Sequence, residues 1–171
     1  MTSQIPHVAQ VAHDLHLLPG SQTGRLNWLF VLRRYIAFVG VANLVWEFAQ
    51  SPLYTIWREE PFANIAVAVI HCTAGDLLIS SSALLAALII AGNERWPIDR
   101  FCLVAALAVV GALAYTIFSE WLNTDIRGSW AYTEWMPVLP FIGSGLTPFL
   151  QWIFIPPIAL RWARTGIRPS R

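Results

Sequence analysis

Lysine is missing from this chain; each of its 11 basic residues is arginine. With 10 acidic residues the net charge is +1, so nothing points to nucleic acid. Charge of either sign is scarce. Only 12% of residues carry one, where a soluble domain carries about 25%. Set beside 56% hydrophobic residues, that deficit excludes an ordinary soluble domain and indicates a polytopic membrane protein. Cysteine occurs twice, at Cys72 and Cys102, which the sequence places at different membrane depths. A disulfide needs Cα atoms within about 7 Å. Both cysteines therefore read as buried thiols acting as small apolar residues. Met1–Gly24 lacks a basic stretch followed by a continuous apolar run, so no secretory signal is expected there and insertion falls to the first membrane helix. Familiar site signatures are absent too. There is no HExxH, no Glu-x-x-His and no CxxC, and His71 is the one histidine in an apolar segment, which argues against a di-histidine haem or a thiol–quinone oxidoreductase.

What is present is four long apolar stretches, at about Tyr35 to Tyr54, Asn64 to Ala91, Phe101 to Asn123 and Leu139 to Trp162. Each reaches the roughly 20 residues that span about 30 Å of hydrocarbon. The expected fold is an all-α, integral-membrane, four-helix up-down bundle forming one domain over 1–171. A polar lead precedes it, with Val8, Val11, Leu15 and Leu18 at helical spacing, which reads as a short amphipathic helix on the membrane surface. His7, His13 and His16 in that lead fit a solvated face better than a metal site, which wants four convergent ligands.

Arginine sets the orientation. Arg25, Arg33 and Arg34 precede the first span, Arg95 and Arg100 join the second to the third, and Arg161, Arg164, Arg168 and Arg171 follow the fourth. Only Arg58 and Arg127 fall in the other two connections. This asymmetry places both termini inside, N-in and C-in, in a membrane of the bacterial inner (plasma) type. Trp28, Trp96 and Trp162 would then mark the inner interface. Trp57, Trp121, Trp130 and Trp135, with Tyr54 and Tyr132, would mark the outer one. The connection Leu122–Val138 is long for a helix hairpin and runs into Pro137, Pro140, Gly143, Gly145 and Pro148. It reads as an outward cap or re-entrant segment with an irregular start to the fourth span.

The apolar spans carry polar stripes. Asn43, Glu47, Gln50 and Tyr54 recur at helical intervals, as do Thr116, Glu120 and Asn123, and Ser144, Thr147 and Gln151. His71 and Asp76 lie on the second span, about 140° apart around its axis. At that register Asp76 is expected to meet Ser80 or Thr73 on its own helix. Ionisable groups in membrane helices cost about 2.5–3.5 kcal/mol each on insertion scales, so they usually face the bundle interior and mark a site.

Three chemistries suit the set. Glu47, His71 and Glu120 are the candidate metal ligands, with a divalent ion as the implied cofactor. Glu47, His71, Asp76 and Glu120 are the candidate acid–base residues. Gln50, Asn123, Arg127, Trp130 and Gln151 are the candidate substrate-binding groups, with Arg127 also able to pair with Asp125, Glu134 or Glu120. The favoured reading is an enzyme acting on a lipidic or small substrate. The alternatives are a proton or ion relay, an accessory subunit of a membrane complex, or a polar core that only fixes helix packing. The bilayer is the expected partner, and a second copy or a complex partner is left open.

Overall fold

The computed structural model describes residues 20–167, with side-chain environments from Trp28 onward. The expected surface helix over residues 1–19, its three histidines, and Arg168 and Arg171 lie outside the described residues. The described chain is helical, with no strand.

Helix α1 (Gly20–Gln50) begins well before Tyr35. Arg25, Arg33 and Arg34 lower the hydropathy of its first turns but are good helix formers, so the apolar run starts later than the helix does. A 3₁₀ turn (Ser51–Leu53) ends it at Pro52, which has no amide to continue the ladder. After the single turn α2 (Ile56–Glu59) come α3 (Phe62–Ala91) and α4 (Phe101–Trp121), the latter running into a π turn at Leu122–Ile126.

Helix α5 (Leu146–Arg164) starts later than the expected Leu139. A tight loop occupies those turns, closed by Leu139 N–H to Ser144 O at 2.9 Å and Gly143 N–H to Leu139 O at 3.1 Å. Phe141 and Gly143 take φ of 70° and 76° within it, and the second of these is a conformation glycine adopts without steric cost.

Three stretches are long and apolar enough to cross a membrane: Trp28–Leu53, Phe62–Ala91 and Phe101–Ile126. Helix α5 is not among them. Its 19 residues include Gln151, Pro156, Pro157, Arg161 and Arg164. Among the long helices, α1 packs on α3 and α5, and α4 packs on the same two.

Each long helix buries one stripe. On α4 it runs Val104, Ala108, Ala112, Thr116 and Glu120, in steps of four. On α3 it includes Leu84, Ala87 and Ala91, and on α5 Ala159, Leu160 and Ala163. Val31, Tyr35 and Val39 complete this core from α1. Small residues on the facing stripes let the backbones come close, the usual device of membrane helices. At the arginine-rich end, the Arg34 guanidinium lies 4.0 Å from the centre of the Trp162 ring.

Two expectations change. Cys102 is exposed rather than buried, because it sits two residues, or about 200°, from the inward-facing Val104. Trp96 is buried in the core and does not ring the interface, since the connection between α3 and α4 folds under the helices.

The packing predicts a specific sensitivity. Ala159 is fully buried where α5 meets its neighbours, so Ala159→Leu forces the helices apart. A loss of about 1–3 kcal/mol is expected. Thermal or denaturant unfolding in detergent measures it, and unchanged stability would contradict the close contact.

Candidate functional site

The buried stripes change character along the bundle. They are apolar towards the arginine-rich end and polar towards the opposite, loop-bearing end. Asn43 and Gln50 continue the stripe of α1, Ser80 and Thr73 that of α3, Thr116 and Glu120 that of α4, and Gln151 that of α5. The i, i+3, i+4 spacing that builds a hydrophobic core elsewhere therefore builds a polar one here.

Gln151 sits at its centre. Its Nε2 lies 3.0 Å from Asn43 Oδ1, 3.2 Å from Glu47 Oε1 and 2.7 Å from Asp76 Oδ2. One amide from α5 thus meets acceptors from α1 and α3. Gln50 donates through Nε2 to Glu47 Oε1 at 2.8 Å and, at a longer 3.5 Å, to Gln151 Oε1. Its own Oε1 accepts the Trp46 indole N–H at 3.2 Å. Glu47 and Asp76 are brought together because both accept from the Gln151 Nε2, at 3.2 and 2.7 Å.

A second couple lies above. The Tyr132 hydroxyl donates to the Glu120 carboxyl and accepts the Gly145 N–H at 2.9 Å. Glu120 is only 7% exposed and continues the inward stripe of α4 one turn beyond Thr116. The Trp130 indole N–H, on the same connection as Tyr132, is buried without a hydrogen-bond partner among the described residues.

The segment carrying Tyr132 is tied to the end of α1. Thr55 N–H donates to Ala131 O at 2.9 Å, and Thr133 N–H to Leu53 O at 2.9 Å. Outside, Arg58 grips Glu134 with two bonds of 3.2 and 2.9 Å and covers the Trp135 ring at 4.6 Å.

The sequence-derived candidates divide. Glu47, Gln50, Asp76 and Gln151 are brought into one network, with Glu120 beside it. His71 is exposed on α3, on the side away from the buried Thr73. Among the described residues no three His, Cys, Asp or Glu side chains come together to hold a metal ion, so the set Glu47, His71 and Glu120 is not assembled. The 140° offset of His71 from Asp76 is the physical reason.

Asp76 turns across the bundle instead of to its own helix. Thr73 donates to Val69 O, and Ser80 pairs with the Tyr35 hydroxyl at 2.6 Å. Asn123 donates to Ser119 O at 2.8 Å, away from the network. Arg127 is exposed and makes no ion pair among the described residues; Glu134, one of its expected partners, is taken by Arg58. Asn43, Trp46 and Tyr132 join the site although none was among the candidate acid–base, metal or binding groups. Asn43 was legible from its stripe, whereas Tyr132 lies in a connection where spacing carries no signal.

Beside the network, α1 and α3 enclose an apolar recess of about 450 Å³ on the outside of the bundle. Leu44, Val45 and Phe48 form one wall, and Phe62, Ala66 and Ile70 the other. Leu44 and Phe48 flank Glu47 in sequence, so the recess and the carboxyl share one stretch of α1.

No family model, curated protein or solved structure matches this chain.

Two outcomes follow from the geometry. Gln151→Leu leaves Glu47, Asp76 and Asn43 without their shared donor and should cost at least about 1 kcal/mol in a detergent unfolding assay. Stability equal to wild type would contradict the hub. Separately, the hydrogen bonds from Arg58 hold the Glu134 carboxyl below its usual range. A depressed carboxyl contributes stability above its unfolded-state pKa and loses it as pH falls through the folded value. The pair is exposed, so the effect is small and salt-screened. An NMR titration should find Glu134 below an ordinary glutamate, and Arg58→Ala should return it to the normal range.

Proposed function

We propose that this protein is an integral inner-membrane enzyme that performs acid–base chemistry on a lipidic or small substrate at an outward-facing intramembrane site. The observation that carries this reading is the Glu47–Asp76 pair, two carboxyls gathered on the Gln151 Nε2 inside a largely apolar bundle. Two carboxyls held this close disfavour ionising together, so in this reading one donates a proton while the other accepts. Gln50 and Gln151 fix the orientation of the pair, and Glu120 with Tyr132 supplies a third carboxyl and a phenol at the same end of the bundle. His71, on the exposed face of α3, has no part in this scheme. Arg127 and Trp130 serve as contacts for a polar headgroup at the mouth.

In the same reading α5 is the fourth span of an up-down bundle, with both termini inside. The segment between α4 and α5 caps the outer mouth. A purely structural role is less well supported, because interhelical hydrogen bonds in membranes average about 0.6 kcal/mol and reward buried carboxyls poorly.

The test uses vesicles made from the expression host's lipid extract, with and without purified protein. Mass spectrometry follows the lipids and small amphiphiles over time. Wild type should convert at least one species, and Glu47→Gln and Asp76→Asn should slow that conversion by about 10²–10⁴-fold while still melting cooperatively. Unchanged lipids, or full activity in both variants, would overturn the enzyme reading and favour a relay or accessory role. Orientation has its own measurement. Ser129→Cys, in an exposed stretch, should react with an impermeant thiol reagent added to intact cells. Labelling that appears only after the membrane is broken would reverse the topology.

A further inference from the structure

The network of Glu47, Asp76 and Gln151 has a direction, and following it to its end locates an unoccupied donor. An indole N–H can only donate. Trp46 Nε1 therefore obliges Gln50 to present its Oε1 there, at 3.2 Å, which turns Gln50 Nε2 towards Glu47 and Gln151. Gln151 must then show its Oε1 to Gln50 and its Nε2 to the other side. That Nε2 reaches Asn43, so Asn43 accepts through Oδ1 at 3.0 Å. Reversing any one amide would set two donors or two acceptors face to face. The last group in the chain is Asn43 Nδ2. Asn43 is 1% exposed, and its Nδ2 is buried with no hydrogen-bond partner. Leaving such a donor empty costs about 1–3 kcal/mol, and folded proteins rarely do so without a reason.

We propose that Asn43 Nδ2 is a substrate-binding donor, and that the group it holds beside Glu47 and Asp76 is a neutral hydroxyl or carbonyl oxygen. This rests on the acid–base reading of the site and names the substrate chemistry for it. A donor N–H selects an acceptor atom. The adjacent carboxyls repel an anion such as a carboxylate or phosphate. The place a cation would take between Glu47 and Asp76 is filled by Gln151 Nε2, which already reaches both. A neutral oxygen is left as the group that can accept from Asn43 and exchange a proton with the carboxyl pair.

The experiment reads binding, so it stands apart from turnover. Protein labelled with ¹⁵N at asparagine side chains is titrated in detergent with 1-octanol, octylammonium and octanoate. The Asn43 amide signal is identified by its loss in Asn43→Asp, which keeps an acceptor for Gln151 but removes the donor. Octanol should shift the Asn43 amide saturably, and the two charged probes should shift it at least tenfold less at equal concentration. In Asn43→Asp, octanol binding followed through the Gln151 side-chain amide in glutamine-labelled protein should weaken at least tenfold. An Asn43 signal unmoved by octanol, as for a site closed by a resident water, overturns the proposal. So does an equal or larger shift with the ammonium or the carboxylate, or undiminished octanol binding in Asn43→Asp. Failure here with lipid conversion intact would remove only the role of Asn43.

Discussion

A polar side chain surrounded by hydrocarbon must find its hydrogen bonds within the protein, and in this chain that requirement converges on the Gln151 amide. Its Nε2 is shared among Asn43, Glu47 and Asp76, so α5 is joined to α1 and α3 at one point. The arrangement of the polar end depends on it. Without a donor from α5, two carboxyls and an amide oxygen would face one another with nothing between them, and like groups at that range repel. The apolar end has no comparable specificity. There the interlocking of alanines with Leu84, Val39 and Leu160 sets how closely the helices approach, and packing density takes the place of directed bonds.

This division of labour explains how much could be read from the residues alone. The spans on α3 and α4 were legible to within a few residues, because long apolar runs have few alternatives in a membrane. The polar stripes were legible as well. Asn43, Glu47 and Gln50 face inward as their intervals implied, and so do Thr116 and Glu120. Partner choice was not legible. Intervals along one helix constrain neighbours on that helix, whereas Asp76 finds its partner on α5. The start of α5 was misplaced for a related reason. Prolines announce an irregular backbone, but the loop that replaces the helix is closed by contacts such as Leu139 to Ser144 that no periodicity encodes.

The loop-bearing end is held from outside as well as within. The strand-like pairing of Tyr54 with Tyr132 and the Arg58–Glu134 clasp fasten the α4–α5 connection to the end of α1. Tyr132 then carries that fastening inward to Glu120, and through Gly145 to the first turn of α5. The surface clasp, the phenol and the helix bearing Gln151 thus form one continuous path.

The recess between α1 and α3 bears on how the site would be measured. It opens on the outside of the bundle, and its walls belong to the two helices that carry Glu47 and Asp76. A solute arriving by that side is already dissolved in the bilayer when it meets the protein. Its effective concentration is a mole fraction of membrane, and its encounters are two-dimensional. Adding inert lipid would then dilute it, while adding buffer would leave its occupancy almost unchanged.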